Sequence, residues 1–434
     1  MALIEGFWRR PWLHAGWVVA AVGAPMLAYR RQTELMGCYL PASERILHGL
    51  PLPGPEWWVY PPAFTLPVLP LIFLPIAVAR LVWAVLLISC VVGGTGAVWN
   101  AAMQDSAFRA AMQRPVAFVM FVLGLAVTSV GHAVVPLTYQ SHDPIVFALL
   151  CLAAWAMARQ GSTRRDSERT VGLSLGLAAS CKVMPVLFLP CLVVAGRWRA
   201  AMVMAITGVA VAIGFDLVSL VTTGAAHFQD WLRLASGGAD LGASGGGRWG
   251  AWNPLNQSGT GILHRLMVPT PEAMGLRHEC MLVRVGPEAR RFVLLAWVAG
   301  IVGLLLLVSW RAWRSKSDAV SPPIRALAWV GAVACGALLV APQASNYHFA
   351  PVGIAAAAML AWMACRRVDP WLLAVLVPMA IIECMPGRDV LGGRWTDIKL
   401  AYGAVGLCAF LACLGASRVA WLAGRPAPVP GDAA

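Results

Sequence analysis

Apolar residues run almost unbroken at about 11–29, 78–100, 115–135, 144–158, 170–181, 184–195, 200–222, 292–310, 326–341, 349–365, 370–385 and 401–417. A hydrocarbon core of ~30 Å takes ~20 helical residues per crossing. Lipid also forces the backbone to satisfy its own hydrogen bonds, so each run is predicted to be a helix. A further stretch, 61–75, is broken by Pro61, Pro62, Pro67, Pro70 and Pro75 and is expected to be a half-helix or surface segment. The pattern therefore predicts an all-α, polytopic membrane protein with about twelve crossings.

Charge orients these helices. Arg9 and Arg10, Arg109 and Arg114, Arg159 to Arg169, Arg197 and Arg199, Arg311 to Arg325, Arg366 and Arg367, and Arg418 and Arg425 can all lie on one side. Cationic short loops mark the cytoplasm, so both termini are expected inside. Two long loops, 30–62 and 223–291, then face outward, as do 136–143, 342–348 and 386–400. The first holds a short helical stretch at 41–49, and the second carries the Gly-rich 237–247. The chain reads as one membrane domain over 1–425, with a disordered cytoplasmic tail at 426–434.

Composition agrees. Of 434 residues, 59% are apolar and only 12% charged, against about 25% charged in soluble domains. That excludes a set of soluble domains, and the hydrophobicity excludes disorder. The net charge of +13 is assigned to loop orientation, not to nucleic acid. The eleven cysteines are scattered, several of them inside apolar runs, with no spacing that suggests zinc. Arg9 and Arg10 precede an apolar run that no small-residue cleavage site ends, so no cleaved signal is expected.

The unusual polar residues collect on the predicted outer face. Glu34 follows the first helix. It is either a solvated loop acid or a general base for a hydroxyl. Lys182 lies between two apolar runs with Pro185 just beyond. An ammonium at the membrane is a functional-site hypothesis, here for an anionic phosphate, with a snorkelling lysine as the alternative. Asp143 follows His142 at a helix start and can cap that helix or join a site. Asn346, Tyr347 and His348 sit at another helix mouth. Asn256, Gln257 and Ser258 suit hydroxyl-rich ligands, and Arg265 suits phosphate, as does Arg388. Aromatics of 57–62, Tyr60 among them, serve as an interface belt or as a stacking surface. No Walker loop, GxGxxG after a strand, serine elbow or HExxH is present.

Taken in order, these motifs resemble a known family. An acid follows the first helix, a short helix ends at Gly49, and Tyr60-Pro61-Pro62 comes next. GLAASCKVMP (176–185), NQSGTGILHRL (256–266) and a polar-histidine loop at 346–348 follow. The chain is similar to the polyprenyl-phosphate-dependent glycosyltransferases of family 87, in the GT-C membrane superfamily. The resemblance covers about residues 10–420. It implies a GT-C-like fold that moves a hexosyl or pentosyl residue, mannose first, from a polyprenyl-phosphate sugar to a lipid or glycan hydroxyl. Transfer is expected at the extracytoplasmic face of the plasma membrane, by inverting displacement.

The resemblance implies a base at Glu34, where the family usually has Asp, with Asp143 as the rival acid. Lys182, His348, Arg265 and Arg388 are expected at the donor phosphate. Tyr60, Asn256, Gln257 and Asn346 are expected at sugar or acceptor. No cofactor, site metal or nucleic acid is expected; the partners are donor, acceptor and membrane lipids. A lipid-linked sugar flippase or an inactive accessory subunit would carry similar features. A one-sided polar cluster with a loop carboxylate favours the enzyme.

Overall fold

The computed structural model describes residues 22–27, 29, 33–52, 60–159, 163–238, 251–269, 280–314, 322–365, 369–385 and 388–422. Most of the predicted first crossing, the Gly-rich stretch and the predicted tail lie outside them. After a π-helical turn over Leu35–Tyr39 come helices α1 (Leu40–Leu47), α2 (Ile76–Ala102), α3 (Ser106–Met112), α4 (Pro115–Tyr139) and α5 (Asp143–Ala158). Next are α6 (Arg164–Cys181), α7 (Phe188–Val194), α8 (Trp198–Thr223), α9 (Phe228–Gly238), α10 (Gly259–Met267) and α11 (Pro287–Arg314). The chain continues through α12 (Pro322–Val340), α13 (Val352–Cys365), α14 (Pro370–Cys384), α15 (Arg388–Ala401) and α16 (Ala404–Leu422). No β-strand occurs among the described residues; Asn256 and Ser345 form one isolated antiparallel bridge.

Among the described residues seven helices are long and apolar enough to cross a membrane, and α5, α14 and the Met184–Val194 segment are shorter apolar helices. The protein is thus an all-α polytopic membrane protein. The proline-broken 61–75 forms two short 3₁₀ turns, Pro62–Thr65 and Leu69–Phe73, before Pro75 opens α2. Each proline removes a donor that a continuous helix would need.

Helix α12 is the centre of the bundle. Its apolar window is 94% buried, while that of α8 is 17% buried, so α12 is surrounded by protein and α8 faces outward. Lipid tails are as apolar as leucine, so helices associate through close packing of small residues. The sequence of α12, PPIRALAWVGAVACGALLV, supplies them. A Cβ on Gly331 would lie 2.7 Å from Ala355 Cα, so α12 and α13 pack backbone to backbone there. Helices α5, α11 and α16 close around the same element. The indole of Trp329 donates to Ser309 Oγ at 2.8 Å, satisfying its one polar atom in this core.

The two ends of the bundle differ. At one end Arg418 pairs with Asp369 at 2.9 Å, Arg325 donates to the Ala312 carbonyl, and Arg197 stacks on Trp313. At the other end the residue 33–52 segment, the 251–258 loop before α10 and the loops after α4, α6 and α12 converge. The predicted site residues are at this second end.

Candidate active site

The chain leaves α4 through Gln140, whose φ of 52° makes it a non-glycine residue in the left-handed region. That conformation is disfavoured for a side chain with a Cβ and persists where its surroundings hold it. Here Trp83 Nε1 donates to the Gln140 carbonyl at 2.9 Å, and Gln140 Nε2 donates to the Leu27 carbonyl at 2.6 Å. The turn delivers Ser141, His142 and Asp143, all buried, to the head of α5.

His142 is fixed by Tyr39. The Tyr39 hydroxyl accepts from the His142 backbone N–H at 3.3 Å and lies 3.0 Å from His142 Nδ1. Burial, with Glu34 adding to it, holds the Tyr39 phenol well above its usual range, so it keeps its proton. It therefore donates to Nδ1, which leaves the ring proton of neutral His142 on Nε2. Phe64 and Tyr60 pack on the same imidazole, with ring centroids 4.1 and 4.5 Å away. Tyr39, Tyr60, Phe64 and His142 form one continuous aromatic wall.

Asp143 is the first residue of α5, and no side-chain hydrogen bond caps that helix. Its Oδ1 instead accepts from Lys182 Nζ at 2.5 Å. Lys182 stands where α6 stops: its extended backbone (φ −156°, ψ 135°) breaks the helix, and Pro185 follows in the next turn. Both partners are buried. An ion pair at such burial holds only because each charge answers the other.

His348 completes the polar cluster. Its Nδ1 accepts from the Ser345 backbone N–H at 3.1 Å, so Nε2 carries the proton. That Nε2 points toward Asp143 Oδ2 at 3.9 Å, too far for a hydrogen bond, and neither atom has another hydrogen-bond partner. On the other flank the Tyr347 hydroxyl donates to Glu34 Oε1 at 3.3 Å. Glu34 is 6% exposed, so it is a buried acid and not a solvated one. It also lies within electrostatic reach of Lys182.

Asp143, Lys182 and His348 form the polar end of a small cleft. Its other walls are apolar: Val146, Phe147 and Leu150 from α5, Phe188 from α7, and Ala334, Ala337 and Leu338 from α12. A few convergent polar groups at the end of an apolar cleft describe a small-molecule or lipid site.

The NQS loop is placed differently. Asn256 Oδ1 accepts from the backbone N–H groups of Ser258 and Ala344, and Gln257 N–H donates to the Ala344 carbonyl at 2.6 Å. Gln257 Nε2 donates to Leu400 O at 2.7 Å. Both side chains are fully buried; Asn256 ties this loop to the one carrying His348, and Gln257 ties it to the end of α15. Arg265 donates to the carbonyls of Ala251, Asn253, Asn256 and Ala401. Burial lowers its pKa to about 10, so it stays charged at neutral pH. Neighbouring His264 is brought down to about 4 by burial and then by Arg290 and Arg265, so it is neutral there.

Asn346 lies half-buried beside His348 and accepts from Ser345 Oγ at 3.2 Å. Arg388 begins α15, and its side chain is outside the described residues. Glu34, Tyr60, Asp143, Lys182 and His348 are thus brought into one cluster, while Asn256, Gln257 and Arg265 sit in the scaffold behind it. Tyr39, Phe64, His142 and Tyr347 also belong to the cluster. Their one sequence signal is adjacency to polar outer-loop residues.

The sequence pattern of glycosyltransferase family 87 matches residues 58–342. The chain belongs to glycosyltransferase family 87. The match includes Asp143, Lys182 and the NQS loop, and Glu34 and His348 lie beyond its two limits. No curated protein and no solved structure matches the chain. This family 87 member is a membrane glycosyltransferase, which moves a sugar from a donor to an acceptor in a lipid setting.

Proposed function

We propose that this glycosyltransferase moves a hexosyl or pentosyl residue, mannose first, from a polyprenyl-phosphate sugar to a lipid or glycan hydroxyl. The observation that carries the reading is the cleft itself: Lys182 and His348 stand at the polar end of a trough whose walls are apolar. A phosphate at Lys182 and the His348 Nε2–H would leave the isoprenoid chain against Phe147, Leu150, Phe188 and Leu338. The sugar would then lie toward the Tyr60 and Phe64 wall, where ring faces can stack. Asn346 stands beside His348, within reach of a sugar hydroxyl, and Arg388 remains a further phosphate contact. Arg265, Asn256 and Gln257 shape the loop behind the site.

In this reading Glu34 takes the proton of the acceptor hydroxyl. The acceptor oxygen forms its bond to the anomeric carbon, and the bond from that carbon to the phosphate oxygen breaks. The polyprenyl phosphate leaves with the bonding electrons, held by Lys182 and His348. Fixed donors aimed at a leaving oxyanion in a dry site are the strongest electrostatic aid an enzyme has. Asp143 balances Lys182 before donor arrives and yields to the phosphate afterwards. A single displacement inverts the anomeric centre. The predicted orientation puts the whole cluster on the extracytoplasmic face of the plasma membrane.

The test is transfer of label from radiolabelled polyprenyl-phosphate mannose by purified protein in nanodiscs with a membrane lipid extract as acceptor. Label in a new lipid or glycan, absent when Lys182 is replaced by Ala, is the expected result. Transfer from a nucleotide sugar and none from the lipid donor would overturn the reading.

A further inference from the structure

Beyond the cleft, three polar side chains from three helices meet inside the bundle. His132 comes from α4, Glu383 from α14 and Cys408 from α16. One ligand atom from each lies within 4.8 Å of the other two. His132 Nε2 is 2.9 Å from Glu383 Oε1, yet it makes no aligned hydrogen bond. His132 is 3% exposed and Cys408 fully buried. The position is prepared for the carboxylate, because any Cβ at residue 131 would collide with Glu383 Oε2. None of these groups touches the cleft of Asp143, Lys182 and His348.

We propose that His132, Glu383 and Cys408 bind one zinc ion, with water as the fourth ligand. An imidazole, a carboxylate and a thiolate are a borderline-soft donor set that suits zinc. Zinc bonds of about 2.0–2.3 Å with tetrahedral angles need ligand atoms roughly 3.3–3.8 Å apart. Zinc at this position would open the 2.9 Å contact between His132 and Glu383. Binding displaces the thiol proton to solvent, and the ion with one carboxylate and one thiolate is neutral overall. Neutrality matters where an uncompensated charge is costly. The 11% exposed carboxylate of Glu383 offers a way in.

The consequence is mechanical. Zinc would clamp α4, α14 and α16 at the end of the bundle that carries the candidate site. His132 stacks near Phe349, with centroids 6.3 Å apart, and Phe349 adjoins His348. The ion would be structural, one helix layer behind the cleft. The sequence offers no motif for it, because the three residues are scattered along the chain.

The test measures metal on the full chain in detergent, loaded with zinc sulfate and desalted. Wild-type protein is expected to retain one equivalent of zinc and to unfold at a higher temperature than after chelation. Cys408→Ser and His132→Ala should each lose most of that zinc. Cobalt loading should give a thiolate-to-cobalt charge-transfer band, lost in Cys408→Ser. Zinc retention equal in wild type and Cys408→Ser, or wild-type cobalt protein without that band, would overturn the site. Absence of that band in wild-type cobalt protein overturns the site even where a variant fails to fold.

Discussion

Lys182 Nζ donates to Asp143 Oδ1 across 2.5 Å, joining the end of α6 to the beginning of α5. This contact changes what replacement of Lys182 must do. Loss of one partner from a buried ion pair strands the other and costs about 3–5 kcal/mol. Lys182→Ala is therefore expected to lower thermal stability as well as donor use. The double variant Lys182→Met with Asp143→Leu should recover most of the stability, since apolar replacement of a buried pair is often neutral. It should not recover transfer. Thermal unfolding and label transfer on the same preparations check both halves, and an active double variant would remove Lys182 from the phosphate.

Arg265 gives a contrasting case. Its guanidinium holds four backbone carbonyls within one loop cluster, three from 251–256 and one from Ala401. Replacement by Ala leaves those acceptors buried without their donor, at about 1–3 kcal/mol for each one unsatisfied. Arg265→Ala is expected to destabilise the protein and expose 251–266 to protease. Arg265→Lys should recover only part of this, because an ammonium cannot reproduce the planar fork. Limited proteolysis with thermal unfolding makes the measurement. A stable Arg265→Ala protein with selectively weakened donor binding would return Arg265 to the phosphate.

The contrast shows which parts of the site are legible in sequence. Long apolar runs announce helices because lipid leaves the backbone no other choice, and α2, α4 to α8, α11 to α14 and α16 fall on the predicted runs. The short helices α3, α9, α10 and α15 lie outside those runs, being brief and mixed in polarity. Lys182 was visible as an ammonium between apolar runs. Its partner was not, since the two are 39 positions apart and only the packing of α5 on α6 joins them. Arg265 looked like a phosphate ligand because sequence shows a cation and hides the carbonyls that surround it. The sequence leaves Glu34 open between a solvated acid and a base for a related reason: Tyr347, 313 positions away, helps to enclose it.

Orientation is open to a direct check. The arginine-bearing loops and the candidate site are at opposite ends of the bundle, so one labelling pair decides both. In a chain lacking native cysteines, Glu44→Cys and Arg165→Cys place exposed thiols at the two ends. An impermeant maleimide is expected to label Glu44→Cys in intact cells and Arg165→Cys only after lysis. The opposite result would put the site on the cytoplasmic side.

The last prediction separates the two carboxylates. Glu34 and Asp143 both border the site, but their neighbours differ. Asp143 answers the charge of Lys182, while Glu34 accepts from a neutral phenol, Tyr347. A base must take up a proton as the acceptor attacks, and a carboxylate tied to an ammonium is the poorer proton acceptor. Glu34→Gln keeps size and polarity and removes that capacity. It is expected to reduce transfer by about 10²–10⁴, the usual worth of a general base, with donor binding nearly intact. Glu34→Asp should keep part of the activity if the shorter arm still reaches the acceptor. Asp143→Asn should act through Lys182 instead: weaker donor binding and lower stability, with a turnover rate at saturating donor closer to wild type. Single-turnover rates and donor titrations on folded protein distinguish these outcomes. An active Glu34→Gln beside a folded, inert Asp143→Asn would assign the base to Asp143.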